Sequence, residues 1–194
     1  MKFSIDLVGD STQEWIRTVI GDFNAFLQDH ADCERKASSM AMSFVAKYPN
    51  RLEIIPELID TAVEELEHFR DVYDIMKKRG ISLNHEIQQD VYMKQLLGYC
   101  RNGRDERFLD RLLIASIVEC RGAERFKMVS EALEDEELKI FYRRLWTSEA
   151  KHGNIFVKMA LNYFDEKEVY NRLNELNHIE AQVLAKLPLK PALH

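Results

Sequence analysis

The chain has 194 residues, of which 46% are hydrophobic and 31% charged, and its formal net charge is −6. That length suffices for one domain with a real core and is short for two, and the even mixing of charged and apolar residues excludes a disordered or collagen-like chain. The longest apolar run, Leu112 to Val118, is interrupted by Ser116, which excludes a membrane span, and the negative charge opposes a single broad basic face for nucleic acid.

Only 7 Gly and 4 Pro punctuate the chain, so long helices are predicted. The opening MKFSIDLVGD has no sustained apolar stretch and does not read as a secretory signal. A short helix is predicted from Ser11 or Thr12 to Gly21. Asp22 then caps a long helix over 22–48, which Pro49 and Asn50 stop. A second long helix covers 53–79, where Pro56 either kinks it or marks its true start. Lys77, Lys78 and Arg79 suit its C-terminal end, with Gly80 just beyond. Residues 81–89 read as a loop and 90–101 as a shorter helix, broken by Asn102 and Gly103. Two more long helices occupy 105–133 and 134–164, and a last helix runs from Asp165 to Leu187 before a frayed PLKPALH tail. No strand signal competes. The predicted fold class is therefore all-α: one domain over 1–194, a four-helix bundle with additional short helices. Cys33, Cys100 and Cys120 are odd in number and lack CxxC spacing, which fits neither a disulfide framework nor a zinc site and suits a reducing cytoplasm.

The chemistry lies in a weak internal repeat. Glu65/His68 and Glu149/His152 form Glu-x-x-His motifs on the second and fourth long helices, and at this spacing both side chains leave one helix face. Each motif has a glutamate on the preceding long helix, Glu34 lying 31 residues before Glu65 and Glu119 lying 30 before Glu149. Composition alone predicts about 0.6 such motifs by chance, and three occur. The third, Glu175/His178, falls off the stripe of Val169, Leu173, Leu176 and Val183 and has no upstream glutamate at that distance, so it reads as a solvated face.

The same test places the other six residues on core-facing stripes. Glu34 shares its stripe with Leu27, Ala31 and Ala41; Glu65 with Leu58, Ala62 and Val72; Glu119 with Leu112, Ala115 and Phe126; Glu149 with Leu145, Phe156 and Ala160. Four buried carboxylates with no lysine or arginine on their stripes are prohibitively costly without cations. Two divalent ions cancel them, which is the arrangement of ferritin-like di-iron and di-manganese bundles. Four carboxylates and two imidazoles form an oxygen-rich set suited to iron, with manganese the alternative. His30, one turn before Glu34, reads either as a hydrogen-bond partner near the site or as a satisfied core histidine. Phe69, Phe126, Tyr142, Trp146 and Phe156 read either as core or as the lining of an apolar pocket.

The segments DHADCERKAS (29–38), EELEHF (64–69), ECRGAERF (119–126) and SEAKHGNIF (148–156), in this order, resemble the MiaE-type tRNA hydroxylases over nearly the whole chain. The resemblance implies a non-haem di-iron monooxygenase that hydroxylates the isopentenyl side chain of 2-methylthio-isopentenyl-adenosine in tRNA, using dioxygen and two electrons. It implies Glu34, Glu65, His68, Glu119, Glu149 and His152 as iron ligands, Glu65 and Glu149 being the bridging carboxylates. It also implies a tRNA partner, a separate electron donor and a cytoplasmic monomer or small homo-oligomer. Setting the four site glutamates aside leaves a charge of −2, and Arg101, Arg104, Arg107 and Arg111 form the basic cluster expected at a tRNA surface. Three other classes share the skeleton: a ferroxidase or iron-storage protein, a rubrerythrin-like peroxidase and a purely structural bundle. Three scattered cysteines cannot build the four-cysteine iron site that usually accompanies the peroxidase.

Overall fold

The computed structural model describes residues 2–86 and 89–193. Among the described residues seven α-helices run in order: α1 Gln13–Gly21, α2 Phe23–Lys47, α3 Ile55–Lys78, α4 Val91–Leu97, α5 Arg104–Ala132, α6 Glu136–Leu161 and α7 Glu166–Leu184. There is no strand among the described residues, so the fold class is all-α as read from composition and periodicity. Among those residues no helix is long and apolar enough to cross a membrane.

The helix ends follow local chemistry. Asp22 accepts a hydrogen bond from the Ala25 backbone N–H at 3.1 Å, Asp90 one from Met93 at 2.9 Å, and Asp135 one from Glu137 at 3.0 Å and one from Leu138 at 3.2 Å. Each satisfies donors that the first helical turn leaves orphaned. Pro56 marks the true start of α3: a 3-10 turn over Leu52–Ile54 precedes it, so the helix begins at Ile55 rather than at 53. At the far end Gly80 takes φ +69°, and the Gly80 and Ile81 N–H groups bond back to the Lys77 and Met76 carbonyls, the geometry that a residue without Cβ adopts most cheaply. The predicted helix over 90–101 is shorter, ending at Leu97, because Gly98 to Cys100 close in turn-type bonds to carbonyls three residues back. α6 and α7 each stop three residues short of the predicted end, at Leu161 and Leu184. Of the predicted 81–89 loop, residues 87 and 88 lie outside the described residues, as does His194 of the predicted tail.

The described residues divide into two compact units, one built from 2–17 and 89–189, the other from 18–86 and 190–193. The second unit is an antiparallel hairpin of α2 and α3. Ser38 Oγ donates to the Ala62 carbonyl at 2.8 Å and Gln28 Nε2 to that of Ser82 at 2.7 Å, so the residues pair in opposite directions. Phe26, Leu27, Ala31, Ala41, Phe44, Leu58, Ala62, Val72 and Met76 are its buried apolar positions.

The first unit is an antiparallel pair of α5 and α6 with α7 alongside α5. Phe108 meets Tyr163 at one end and Phe126 meets Tyr142 at the other, with ring centroids 5.7 and 5.5 Å apart. Midway the helices touch closely. Ser116 Oγ donates to the Gly153 carbonyl at 2.7 Å, and a Cβ at position 153 would stand 2.7 Å from Cys120 Sγ and 3.3 Å from the Ser116 carbonyl oxygen. Gly153→Ala is therefore expected to lower stability by about 1–3 kcal/mol, as overpacking does, visible as a drop in Tm. Cys120→Ala in the same chain should recover most of the loss, because the closest clashing atom is then gone.

Two buried ionic clusters hold the first unit together. Arg121, with no exposed side-chain surface, donates from Nε and Nη2 to the two oxygens of Glu180, both at 2.9 Å, and from Nη2 to the Gly9 carbonyl at 2.6 Å. Tyr92 of α4 donates to the same Glu180 at 2.9 Å, and burial followed by the Glu180 charge pushes its phenol well above the ordinary value. Beside them burial holds the Arg125 guanidinium down to about 10, while its face lies 4.5 Å from the Trp15 ring centroid. The second cluster centres on buried Asp110, which accepts from Arg172 and from both backbone and side chain of Arg101. Burial works to raise the Asp110 pKa, but the hydrogen bonds from Arg172 and Arg101 outweigh it and hold the carboxyl below its usual range.

Candidate metal centre

Each hairpin assembles its own three predicted ligands. In the α2/α3 unit Glu34 and Glu65 are buried, and His68 keeps only 12% of its side chain exposed. His68 Nδ1 lies 3.4 Å from Glu65 Oε2 and 3.7 Å from Glu34 Oε2. In the α5/α6 unit Glu119, Glu149 and His152 are all buried, and His152 Nδ1 lies 3.5 Å from Glu149 Oε2. Within each triad one ligand atom per residue lies within 4.8 Å of those of the other two.

The donor set fits a metal ion. Ligand atoms sit about 2.0–2.2 Å from a first-row ion and hence roughly 3 to 3.5 Å from one another. The nitrogen-to-oxygen separations of 3.4, 3.5 and 3.7 Å are of that size, and longer than a good N–H···O bond. Each triad carries two carboxylates and one neutral-capable imidazole, which is one dication's worth of charge. The helical geometry explains the convergence: an i, i+3 pair leaves one face, and the antiparallel partner helix supplies the third residue from the matching level.

The third Glu-x-x-His motif behaves as its stripe predicts. Glu175 and His178 are exposed on α7, and Glu175 pairs with Arg172 at 2.7 Å. His30 is a hydrogen-bond partner within the site region: its Nε2 is 2.6 Å from Glu34 Oε1. Of the aromatics, Phe126, Tyr142 and Phe156 are buried core, while Phe69 and Trp146 are half-buried, the latter under Lys127 Nζ at 5.3 Å. Of the basic cluster, Arg101 is committed to Asp110 at 2.8 Å, Arg104 and Arg107 are exposed on the first turn of α5, and Arg111 is half-buried. Sequence reasoning did not find the close approach of Ser116, Cys120 and Gly153 beside His152; the small residue directly after the motif histidine is the signal that marks it.

An all-α chain carrying two such carboxylate–histidine triads on consecutive long helices falls in the ferritin-like di-iron fold class. In agreement, a solved structure from Synechococcus, described as protein 43 with aldehyde deformylating oxygenase activity, superposes with a TM-score of 0.91 at 29% identity, covering 97% of this chain and 94% of that one. Residues 4–194 match the family described as tRNA-(MS[2]IO[6]A)-hydroxylase (MiaE), and the chain belongs to that family and is an oxygenase. A Pseudomonas putida relative named tRNA 2-(methylsulfanyl)-N(6)-isopentenyladenosine(37) hydroxylase is 37% identical over 155 residues, which are 80% of this chain and 75% of that protein. A Salmonella typhimurium protein of the same name is 28% identical over 132 residues, 68% of this chain and about half (48%) of the relative.

Proposed function

We propose that Glu34, Glu65 and His68, with Glu119, Glu149 and His152, hold two iron ions in a single functional domain, and that the protein hydroxylates the isopentenyl group of 2-methylthio-isopentenyl-adenosine in tRNA. The observation that carries this reading is the convergence of three metal-type donors in each hairpin, all buried except the half-buried His68, in matching order along the chain. Membership of the hydroxylase family supports the substrate. When bound, the iron pair supplies dioxygen activation: one oxygen atom enters a C–H bond, the other leaves as water, and two electrons and two protons come from a separate donor.

The chain's own residues provide the setting. The two carboxylates of each triad would balance one dication, so little net charge would be left in an interior where excess charge is costly. Glu65 and Glu149, one from each motif, would serve as the bridging carboxylates. Phe126, Tyr142 and Phe156 are buried apolar positions of the α5/α6 unit that carries the second triad, and such a packed interior is poor in water. The exposed Arg104 and Arg107, one helical turn apart, supply a phosphate-binding edge for tRNA. Such an enzyme works in the cytoplasm, as a monomer or small homo-oligomer.

The deciding experiment incubates prenylated, methylthiolated tRNA with anaerobically iron-loaded protein, reductant and then dioxygen, followed by mass spectrometry of the nucleosides. A gain of one oxygen on the prenylated adenosine is expected; no gain with two irons bound would sink the substrate assignment. Arg104→Glu is expected to weaken tRNA binding and to lower the salt slope by about 1–2, one lost phosphate contact and one added repulsion, with iron content unchanged. An unaltered slope in a filter-binding salt series would remove this edge from the interface.

A further inference from the structure

α3 presents two unlike faces. The inner one holds Glu65 among buried Leu58, Thr61, Ala62, Val72 and Met76. The outer one is apolar where water is expected. Ile59, Val63, Leu66 and Tyr73 follow at spacings of four, three and seven residues, the a and d positions of a coiled-coil seam, and each is between 41 and 54% exposed. Arg70 takes the remaining seam position and pairs sideways with Glu67 at 3.8 Å. Because α2 runs antiparallel with Ser38 at Ala62, Met42 of α2 comes level with Ile59, and it is exposed to the same degree. Among the described residues α1, α2 and α6 expose one large apolar side chain each, α4 two, and α5 and α7 none, so the line on α3 is not the ordinary scatter of surface apolar residues. One border of this seam is uniformly acidic. Asp60, Glu67 and Asp74 stand at the e positions, all exposed, in a column about 21 Å long at 1.5 Å per residue. The opposite border, Ala62, Phe69 and Met76, turns into the hairpin and carries no charge.

We infer that the outer face of α3 docks one helix of a partner protein, an amphipathic helix with an apolar stripe and with lysines or arginines at seven-residue intervals along one edge. The stripe supplies affinity, and the acidic column sets the register and the choice of partner. A second copy of this chain does not meet that description. Antiparallel two-fold pairing of α3 sets the acidic column against itself, and parallel pairing sets it against Ala62, Phe69 and Met76, which hold no cation. Nucleic acid and anionic lipid are repelled by the same column. Glu65 and His68 lie off this stripe, so the docking face stands whichever reaction the triads perform.

The probe is a fluorescein-labelled synthetic helix of three heptads, with Leu at a and d, Ala at b, c and f, and Lys at e and g. Fluorescence anisotropy compares it with the same peptide carrying Glu in place of Lys; like charges at e and g keep either peptide from pairing with itself. The full-length protein is expected to bind the Lys peptide, and to bind the Glu peptide about tenfold more weakly or worse, three exposed ion pairs being worth that much together. Leu66→Glu should weaken the Lys peptide by about 10–100-fold, the worth of one buried leucine. Asp60→Lys, Glu67→Lys and Asp74→Lys together should invert the preference. Glu131→Lys, Glu134→Lys and Glu168→Lys together change the net charge equally at exposed positions off the seam. That variant should stay within about threefold of wild type at physiological salt, where charges that do not touch the peptide are screened. Equal loss in both triple variants would reduce the effect to net charge and overturn the docking face. Equal binding of the two peptides, or no binding tighter than about 1 mM, would overturn it too. A wild type that sediments as a dimer, with Leu66→Glu a monomer, would give the face to a second copy and overturn the partner helix.

Discussion

Glu65→Ala and Glu149→Ala are each expected to abolish uptake of two irons per chain, while Glu175→Ala leaves it at the wild-type level. The expected loss is about 100-fold or more in affinity, since even a group that only orients a ligand is worth 10–100-fold, and in the proposed reading each of these carboxylates is itself a ligand. Glu65 and Glu149 are buried, whereas Glu175 is exposed and spends its charge on Arg172. Metal analysis after anaerobic loading reads the result directly. Stability gives a second, independent readout with the opposite sign in the absence of metal. Removing one of the two buried carboxylates of its triad relieves repulsion between them, so metal-free Glu65→Ala should melt no lower than metal-free wild type. Iron at 100 times its dissociation constant should stabilise wild type by about 2.7 kcal/mol and the variant hardly at all. Full iron in either motif variant, or equal iron loss in Glu175→Ala, would refute the ligand assignment.

The second large effect concerns the Arg121–Glu180 pair. Glu180→Ala leaves a guanidinium with no exposed surface facing a cavity, and takes the acceptor from Tyr92 as well. Breaking such a buried pair by deleting one partner costs about 3–5 kcal/mol. For a chain of this size that is a fall in Tm of roughly 6–20 °C. The hydrogen bonds to Glu180 outweigh burial and hold the Arg121 pKa above its ordinary value, so the arginine stays charged and cannot escape by losing its proton. Replacing both partners, as Arg121→Met with Glu180→Leu, should cost less than Glu180→Ala alone, because no uncompensated charge remains. A single variant that melts within a degree or two of wild type, or a double variant worse than either single one, would show that the pair is not what joins α5, α7 and the Gly9 segment.

These two clusters also show where reading the chain by periodicity succeeds and fails. Glu34, Glu65, Glu119 and Glu149 were legible because each breaks an otherwise apolar 3.6-residue stripe, and a buried carboxylate without a cation on its stripe demands one. Glu180 was not legible by the same rule. Its countercharge, Arg121, stands 59 residues earlier on another helix, and no spacing within α7 announces it. Asp110 is alike: its partners Arg101 and Arg172 come from a loop and from α7, and Arg101 is consequently drawn away from the basic cluster in which its sequence position had put it.

Local sequence alone dictated the all-α class, the cap at Asp22, the break at Gly80 and the grouping of the six triad residues on core-facing stripes, because all of these depend on contacts within a few residues or on one helix face. Only the tertiary structure decided which oxygen of Glu34 meets His30 and which faces His68. It also decided that Gly153 is needed where α5 and α6 touch, and that Arg101 serves Asp110. Those outcomes depend on the rotation and spacing of one helix against another, which packing across the whole unit sets and no local pattern encodes.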